Sequence, residues 1–171
     1  SVLTGRAGTG KTEVVSILLE GIMTKDEAGP SDFLVLTPTG KASIRLKKTF
    51  SKNAVLSRIE PKTIHSHLNQ CGWQGNNFEL KQTGGTRASV DNVIIDESSM
   101  LPIDLLATLM KSLNLANIKR LILVGDPNQL PPIGPGRPLD DVVNWLKDDP
   151  SRGKHLADLE IRMRHNQLVK K

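Results

Sequence analysis

Short apolar runs rich in β-branched residues alternate along the chain with longer stretches whose apolar residues recur at helical spacing. That order predicts a parallel sheet covered by helices on both faces, an α/β fold. Strands are expected at residues 2–4, 33–37, 93–96, 121–124 and 156–161, most of them too apolar for a sheet edge. Between them, Val14, Val15, Leu18, Leu19 and Ile22 mark a helix over 11–23, and Leu105, Leu106, Leu109 and Met110 mark another over 101–113. Both apolar faces read as core. Residues 39–50 predict a basic helix carrying Lys41, Arg45, Lys47 and Lys48, whose bland reading is a solvated face. Residues 70–92, rich in Gly, Asn, Gln and Thr, predict a surface excursion, with Asn76 and Asn77 placed to turn a small hairpin. Pro and Gly crowd residues 127–138, which therefore predict an ordered loop.

Composition narrows the class. The 171 residues, 1–171, suit a single domain and are too few for two of ordinary size. No apolar run is long enough to cross a bilayer and no signal peptide opens the chain. The lone Cys71 has no partner for a disulfide and no metal-ligand pattern beside it, which points to a reducing, intracellular compartment. A formal charge of +5 fits an acidic partner such as nucleic acid. With no tyrosine, three Phe and two Trp, a broad stacking platform is not expected, so strand contacts should be to the backbone. The start at Ser1, already inside an apolar run, predicts a piece of a longer protein.

The loop Gly5-Arg6-Ala7-Gly8-Thr9-Gly10-Lys11-Thr12 follows an apolar run and opens an amphipathic helix, the setting that a phosphate-binding Walker A loop requires. Gly5, Gly8 and Gly10 let the backbone bend closely around a polyphosphate, so that amides of residues such as Ala7 and Thr9 and the helix start point at anionic oxygens. Lys11 adds a point charge at the β and γ phosphates, and Thr12 offers a hydroxyl to a magnesium ion shared with them. The bland alternative, a glycine-rich turn with a chance Lys-Thr, does not explain strand, loop and helix together.

Val93-Ile94-Ile95-Asp96-Glu97 is an apolar strand that delivers two carboxylates at its carboxyl end, where ligands bind in open α/β sheets. It reads as Walker B, with Asp96 holding the metal and Glu97 orienting and deprotonating the attacking water. Together the two motifs predict NTP hydrolysis by in-line attack of water, stabilised electrostatically by Lys11 and the metal.

The run Gly125-Asp126-Pro127-Asn128-Gln129-Leu130-Pro131-Pro132-Ile133-Gly134 resembles motif III of superfamily 1 helicases, and its Pro-Pro-Ile-Gly extension resembles the RecD-like branch. The resemblance implies a RecA-like P-loop NTPase fold, ATP and Mg2+ as cofactors, 5′ to 3′ travel, and a γ-phosphate-sensing role for Gln129. A proline-stiffened loop suits the transmission of that state to a strand-binding surface. Pro38-Thr39-Gly40-Lys41 resembles motif Ia, where the Thr39 hydroxyl, the following amides and Lys41 would grip a backbone phosphate; an ordinary helix cap is the alternative. Thr63-Ile64-His65 resembles the Thr-x-His segment of this branch. With His67 it stays open between a strand contact at His65 and a satisfied core histidine. Leu159-Glu160-Ile161-Arg162-Met163-Arg164-His165-Asn166 resembles motif IV, with Arg164 the matching arginine. His165 stands where the family has glutamine, Arg162 competes in another register, and a plain basic surface helix is the alternative.

The resemblance covers the first RecA-like domain of two. It implies single-stranded nucleic acid as partner, DNA over RNA, and a second domain that supplies an arginine to the transition state, so this chain alone should bind nucleotide better than it hydrolyses it. The adenine-recognising glutamine of the superfamily would lie ahead of Ser1. A GTPase is disfavoured because no Asn-Lys-x-Asp guanine motif is present. An AAA+-like or non-translocating nucleic-acid-binding switch remains the alternative, although the chain has no small helical lid domain after motif III.

Overall fold

The computed structural model describes residues 1–75 and 77–160. Six strands form one parallel sheet: β1 (Val2–Gly5), β2 (Phe33–Thr37), β3 (Lys62–Thr63), β4 (Asn92–Ile95), β5 (Arg120–Gly125) and β6 (Leu156–Leu159). Their order across the sheet is β3-β2-β4-β5-β1-β6. The phosphate-loop strand β1 pairs in register with β5, as Val2 with Leu123 and Thr4 with Gly125.

The central strands bury both faces, and alternate residues sort into two cores as the pleat requires. Leu3, Phe33, Val35, Ile94, Ile122 and Val124 pack with Val15, Leu19 and Ile22 of α1 (Lys11–Asp26) and with Leu46 and Phe50 of α2 (Gly40–Phe50). Val2, Leu34, Leu36, Val93, Ile95 and Leu123 pack on the opposite face. Their partners are Ile64 and Leu68 of α3 (Ile64–Gln70), Leu105 and Leu109 of α4 (Ile103–Lys111), and Val143 and Leu146 of α5 (Pro138–Lys147). A four-residue α6 (Pro150–Gly153) leads into β6.

Several expectations shift. Helix α1 runs three residues past Met23, and Leu18 on it is partly exposed, not core. The helix expected over 101–113 is shorter because Pro102 is its N-cap and a 3-10 turn, Ser98–Met100, precedes it. Pro138 does not close the proline loop but opens α5 at its first turn, where its missing N–H costs nothing. The edge strand β3 and helix α3 were not expected from the pattern; β6 is the other edge, with Asp158 exposed on it and its Thr4 partner donating to Asp158 Oδ1 at 2.8 Å. The excursion over 70–92 is not all surface. Trp73 is buried, its indole N–H donates to the Thr86 carbonyl at 2.6 Å, and its ring lies against Gly85.

Candidate nucleotide site

The carboxyl ends of β1, β2, β4 and β5 lie on one side of the sheet, so the segments that follow them meet there. After β1 the chain turns through Gly8 (φ 86°) and Gly10 (φ 84°), a backbone region that disfavours any side chain. Gly5 is required for a different reason: a Cβ there would lie 2.6 Å from Thr9 Oγ1 and 2.9 Å from Leu159 Cβ. Thr9 stiffens the bend by donating its hydroxyl to the Arg6 carbonyl at 2.9 Å. Helix α1 starts at Lys11 with no side chain capping its first amides, which leaves a helix start suited to an anion. Lys11 Nζ folds back to donate to the Gly5 carbonyl at 2.5 Å and the Arg6 carbonyl at 3.2 Å. Burial lowers its pKa, opposed by the negative charges of Asp126 and Asp96.

Asp96 follows the end of β4 and is almost wholly buried. Its Oδ1 accepts the Glu97 amide at 2.9 Å, while Oδ2 has no hydrogen-bond donor among the described residues. Burial pushes its carboxyl pKa up. A buried carboxylate oxygen with an unused lone pair suits a divalent cation, while Thr12 lines the neighbouring cavity, which Asp96 itself does not line. Glu97 adopts φ 55°, a left-handed conformation uncommon for glutamate, and this twist leaves its side chain in the cavity with Lys11. Ser98 then ties the turn to β5 by donating to the Val124 carbonyl at 2.9 Å. A Cβ on Gly125 would lie 2.6 Å from Leu139 Cδ2 and 3.0 Å from Ser98 Oγ, so a larger residue would force those side chains to shift at this junction of β4 and β5 turns.

Beyond Gly125, the Asn128 amide donates to Asp126 Oδ1 at 3.0 Å and the Gln129 amide to the Asp126 carbonyl at 3.0 Å, turning Gln129 into the cavity. The proline loop leans on the start of α4, where the Ile103 amide donates to the Pro135 carbonyl at 2.9 Å. The resulting cavity, about 340 Å³, brings together Ala7, Gly8, Gly10, Lys11, Thr12, Glu97 and Gln129, with Gly5 and Thr9 shaping the loop behind it. A larger hollow of about 690 Å³ on the other flank of the loop is lined by Thr4, Asp140 and Lys147 among others; the smaller one is where Lys11 and Glu97, the residues expected to carry the chemistry, are found.

Six cavity residues were given no role at the site in the sequence reading: Glu13, Arg45, Thr49, Ser99, Gly125 and Asp126. Arg45 is half-exposed, in keeping with the bland reading of its helix as a solvated face, yet its Nη2 also reaches Glu97 Oε1 at 2.7 Å and stands 3.8 Å from Asp96 Oδ2. The signal that could have found the pair is their four-residue spacing on α2, which puts Arg45 and Thr49 on one face.

The strand-contact candidates lie apart from the cavity. Pro38 and Thr39 are half-buried, Gly40 and Lys41 exposed, at the amino end of α2. Thr39 Oγ1 accepts the Ala42 amide at 3.3 Å, so the capping function is present. His65 is half-buried, accepts from Gln74 Nε2 at 2.9 Å in one tautomer, and meets the exposed Phe78 ring edge-on at 6.1 Å. His67 is the core histidine of the two, buried and 3.1 Å from Ser112 Oγ. Arg164, with the rest of the segment resembling motif IV beyond Glu160, lies outside the described residues.

The family model AAA_19, described as an AAA domain, matches residues 1–135. An uncharacterised protein of Methanocaldococcus jannaschii is 37% identical over 95% of this chain, and the ATP-dependent RecD2 DNA helicase of Deinococcus radiodurans is 34% identical over 81%. The chain spans only 14% and 17% of those two proteins. In fold, the unliganded Pif1 structure from Bacteroides sp. superposes with a TM-score of 0.56 at 21% identity, covering 96% of this chain and 38% of that one. No described helix is long and apolar enough to cross a membrane. The chain belongs to this AAA domain family and, within it, is a RecA-like domain of the superfamily 1 helicase type, RecD-like branch.

Proposed function

We propose that the chain binds and hydrolyses ATP as the first RecA-like motor domain of an intracellular helicase that moves 5′ to 3′ on single-stranded DNA. The observation that carries this reading is the convergence of Lys11, Thr12, Glu97 and Gln129 on one cavity at the carboxyl edge of the sheet. Phosphates entering the loop replace the Gly5 and Arg6 carbonyls as partners of Lys11. Thr12 and Asp96 are the residues to hold Mg2+, which when bound supplies charge neutralisation to the phosphates. Glu97 accepts the proton of the attacking water, and Gln129 contacts the γ-phosphate and relays its presence through the proline loop. Pro38, Thr39, Gly40, Lys41 and His65 form the strand-side contacts. A second RecA-like domain completes the cleft with an arginine, and Arg164 is assigned a nucleotide-side role by its resemblance to motif IV alone.

The test is unwinding of a 5′-tailed DNA duplex by the full-length protein with ATP and Mg2+. Unwinding that needs the 5′ tail and is lost in Lys11→Ala supports the reading. Strand-dependent ATP hydrolysis without unwinding of any tailed duplex would favour a switch and overturn the motor.

A further inference from the structure

We propose that Arg45 is a positioning residue, through which helix α2 holds Glu97 back from the attacking water until a nucleic-acid strand docks at the amino end of that same helix. The inference rests on Glu97 acting as general base and on strand contact near Thr39 and Lys41.

Three observations carry it. Arg45 Nη2 donates to Glu97 Oε1 at 2.7 Å, so one oxygen of the carboxylate is committed to a guanidinium instead of being free to take a proton from water. The same guanidinium is 3.8 Å from Asp96 Oδ2, within ion-pair range of both acids of the strand end. Finally, Arg45 stands about one and a half helical turns beyond Gly40, the first residue of α2. Ala42 lies between them and Leu46 and Phe50 beyond, all buried along one continuous helix, so a shift of α2 at Thr39 would be carried to Arg45.

The strength of the contact suits a restraint that must release. Arg45's side chain is 53% exposed and that of Glu97 22%, an ion pair weak enough to be broken by a helix shift. Docking of a phosphate at the α2 amino end biases the helix toward a position in which the guanidinium no longer reaches Oε1. Glu97 is then free, and hydrolysis rises only when the strand is present. Arg45 therefore acts through Glu97 and makes no contact with the reacting atoms in this role.

The experiment is steady-state ATP hydrolysis by the full-length protein, with and without single-stranded DNA, for wild type, Arg45→Gln and Arg45→Lys. In Arg45→Gln the strand-free kcat rises by about five-fold, the upper range for a half-exposed ion pair, while KM for ATP is unchanged and the stimulation ratio falls by the same factor. Arg45→Lys, which keeps the charge, restores part of the restraint. A merely structural role would lower stability without raising strand-free kcat. If Arg45→Gln leaves the strand-free kcat unchanged or lowers it with and without strand alike, the restraint is overturned. Wild-type protein that binds ATP but hydrolyses none under either condition would overturn the hydrolytic reading itself, and the restraint with it.

Discussion

The Lys11 ammonium donates to the Gly5 carbonyl 2.5 Å away, so the cation of the phosphate loop is satisfied by the loop's own backbone before any ligand arrives. An incoming phosphate exchanges one set of partners for a stronger, charged one. Lys11→Ala should therefore weaken ATP binding by about 1.5 to 3 kcal/mol, the range for a hydrogen bond to a charged group, measured by calorimetric titration in the presence of Mg2+. Wild-type affinity in that variant would remove Lys11 from the site.

Burial of Asp96 carries a cost that the Glu97 amide and the Arg45 guanidinium offset only in part. Burial raises its pKa, and Oδ2 has no hydrogen-bond donor among the described residues. Asp96→Asn keeps an oxygen for the Glu97 amide and removes the buried charge. Thermal unfolding of the ligand-free variant should shift upward by an amount corresponding to about 1 kcal/mol, and the additional stabilisation that wild type gains from Mg2+ with ATP should disappear. A lowered midpoint without ligand contradicts this account.

His67 gives a stability step in acid. Burial lowers its pKa from 6.5 to about 4, so the unfolded chain binds a proton that the folded one refuses between those values. Its contribution is complete above pH 6.5 and is lost as pH falls, by roughly 3 kcal/mol near pH 4. Urea unfolding from pH 7 to pH 4, compared between wild type and His67→Gln, isolates the step, because the variant has no imidazole to protonate. Parallel curves for the two proteins would show that His67 is not the group responsible.

Gly85 lies so close to the buried Trp73 ring that a Cβ would overlap it. Gly85→Ala should displace the indole from the core and strain its bond to the Thr86 carbonyl, costing about 1 to 3 kcal/mol of stability in denaturant unfolding. Tryptophan fluorescence should report greater solvent exposure in the folded variant.

What was readable from the sequence follows from how far each signal travels along the chain. Phe33 to Val35 and Val93 to Ile95 announce central strands because burial on both faces demands continuous apolar residues. The phosphate loop is equally local, since its glycines, Lys11 and Thr12 stand within eight residues, 5–12. Strand β3, two residues long, and the seven-residue α3 are too short to display a period. Pro138 looked like a loop residue because proline stops a helix interior and opens a helix start alike. Arg45 was the costliest omission. Its place depends on α2 packing beside the end of β4, and a charged residue on a basic helix gives no local sign of the acid it will meet.

The proposed mechanism makes Glu97 the residue on which binding becomes hydrolysis, and one comparison tests this directly: strand-stimulated ATP hydrolysis by the full-length protein, wild type against Glu97→Gln, with ATP affinity measured in parallel. The account predicts that the variant binds ATP with wild-type affinity while kcat falls by about 10² to 10⁴-fold, the usual worth of a general base. A variant that hydrolyses ATP at the wild-type rate would contradict it.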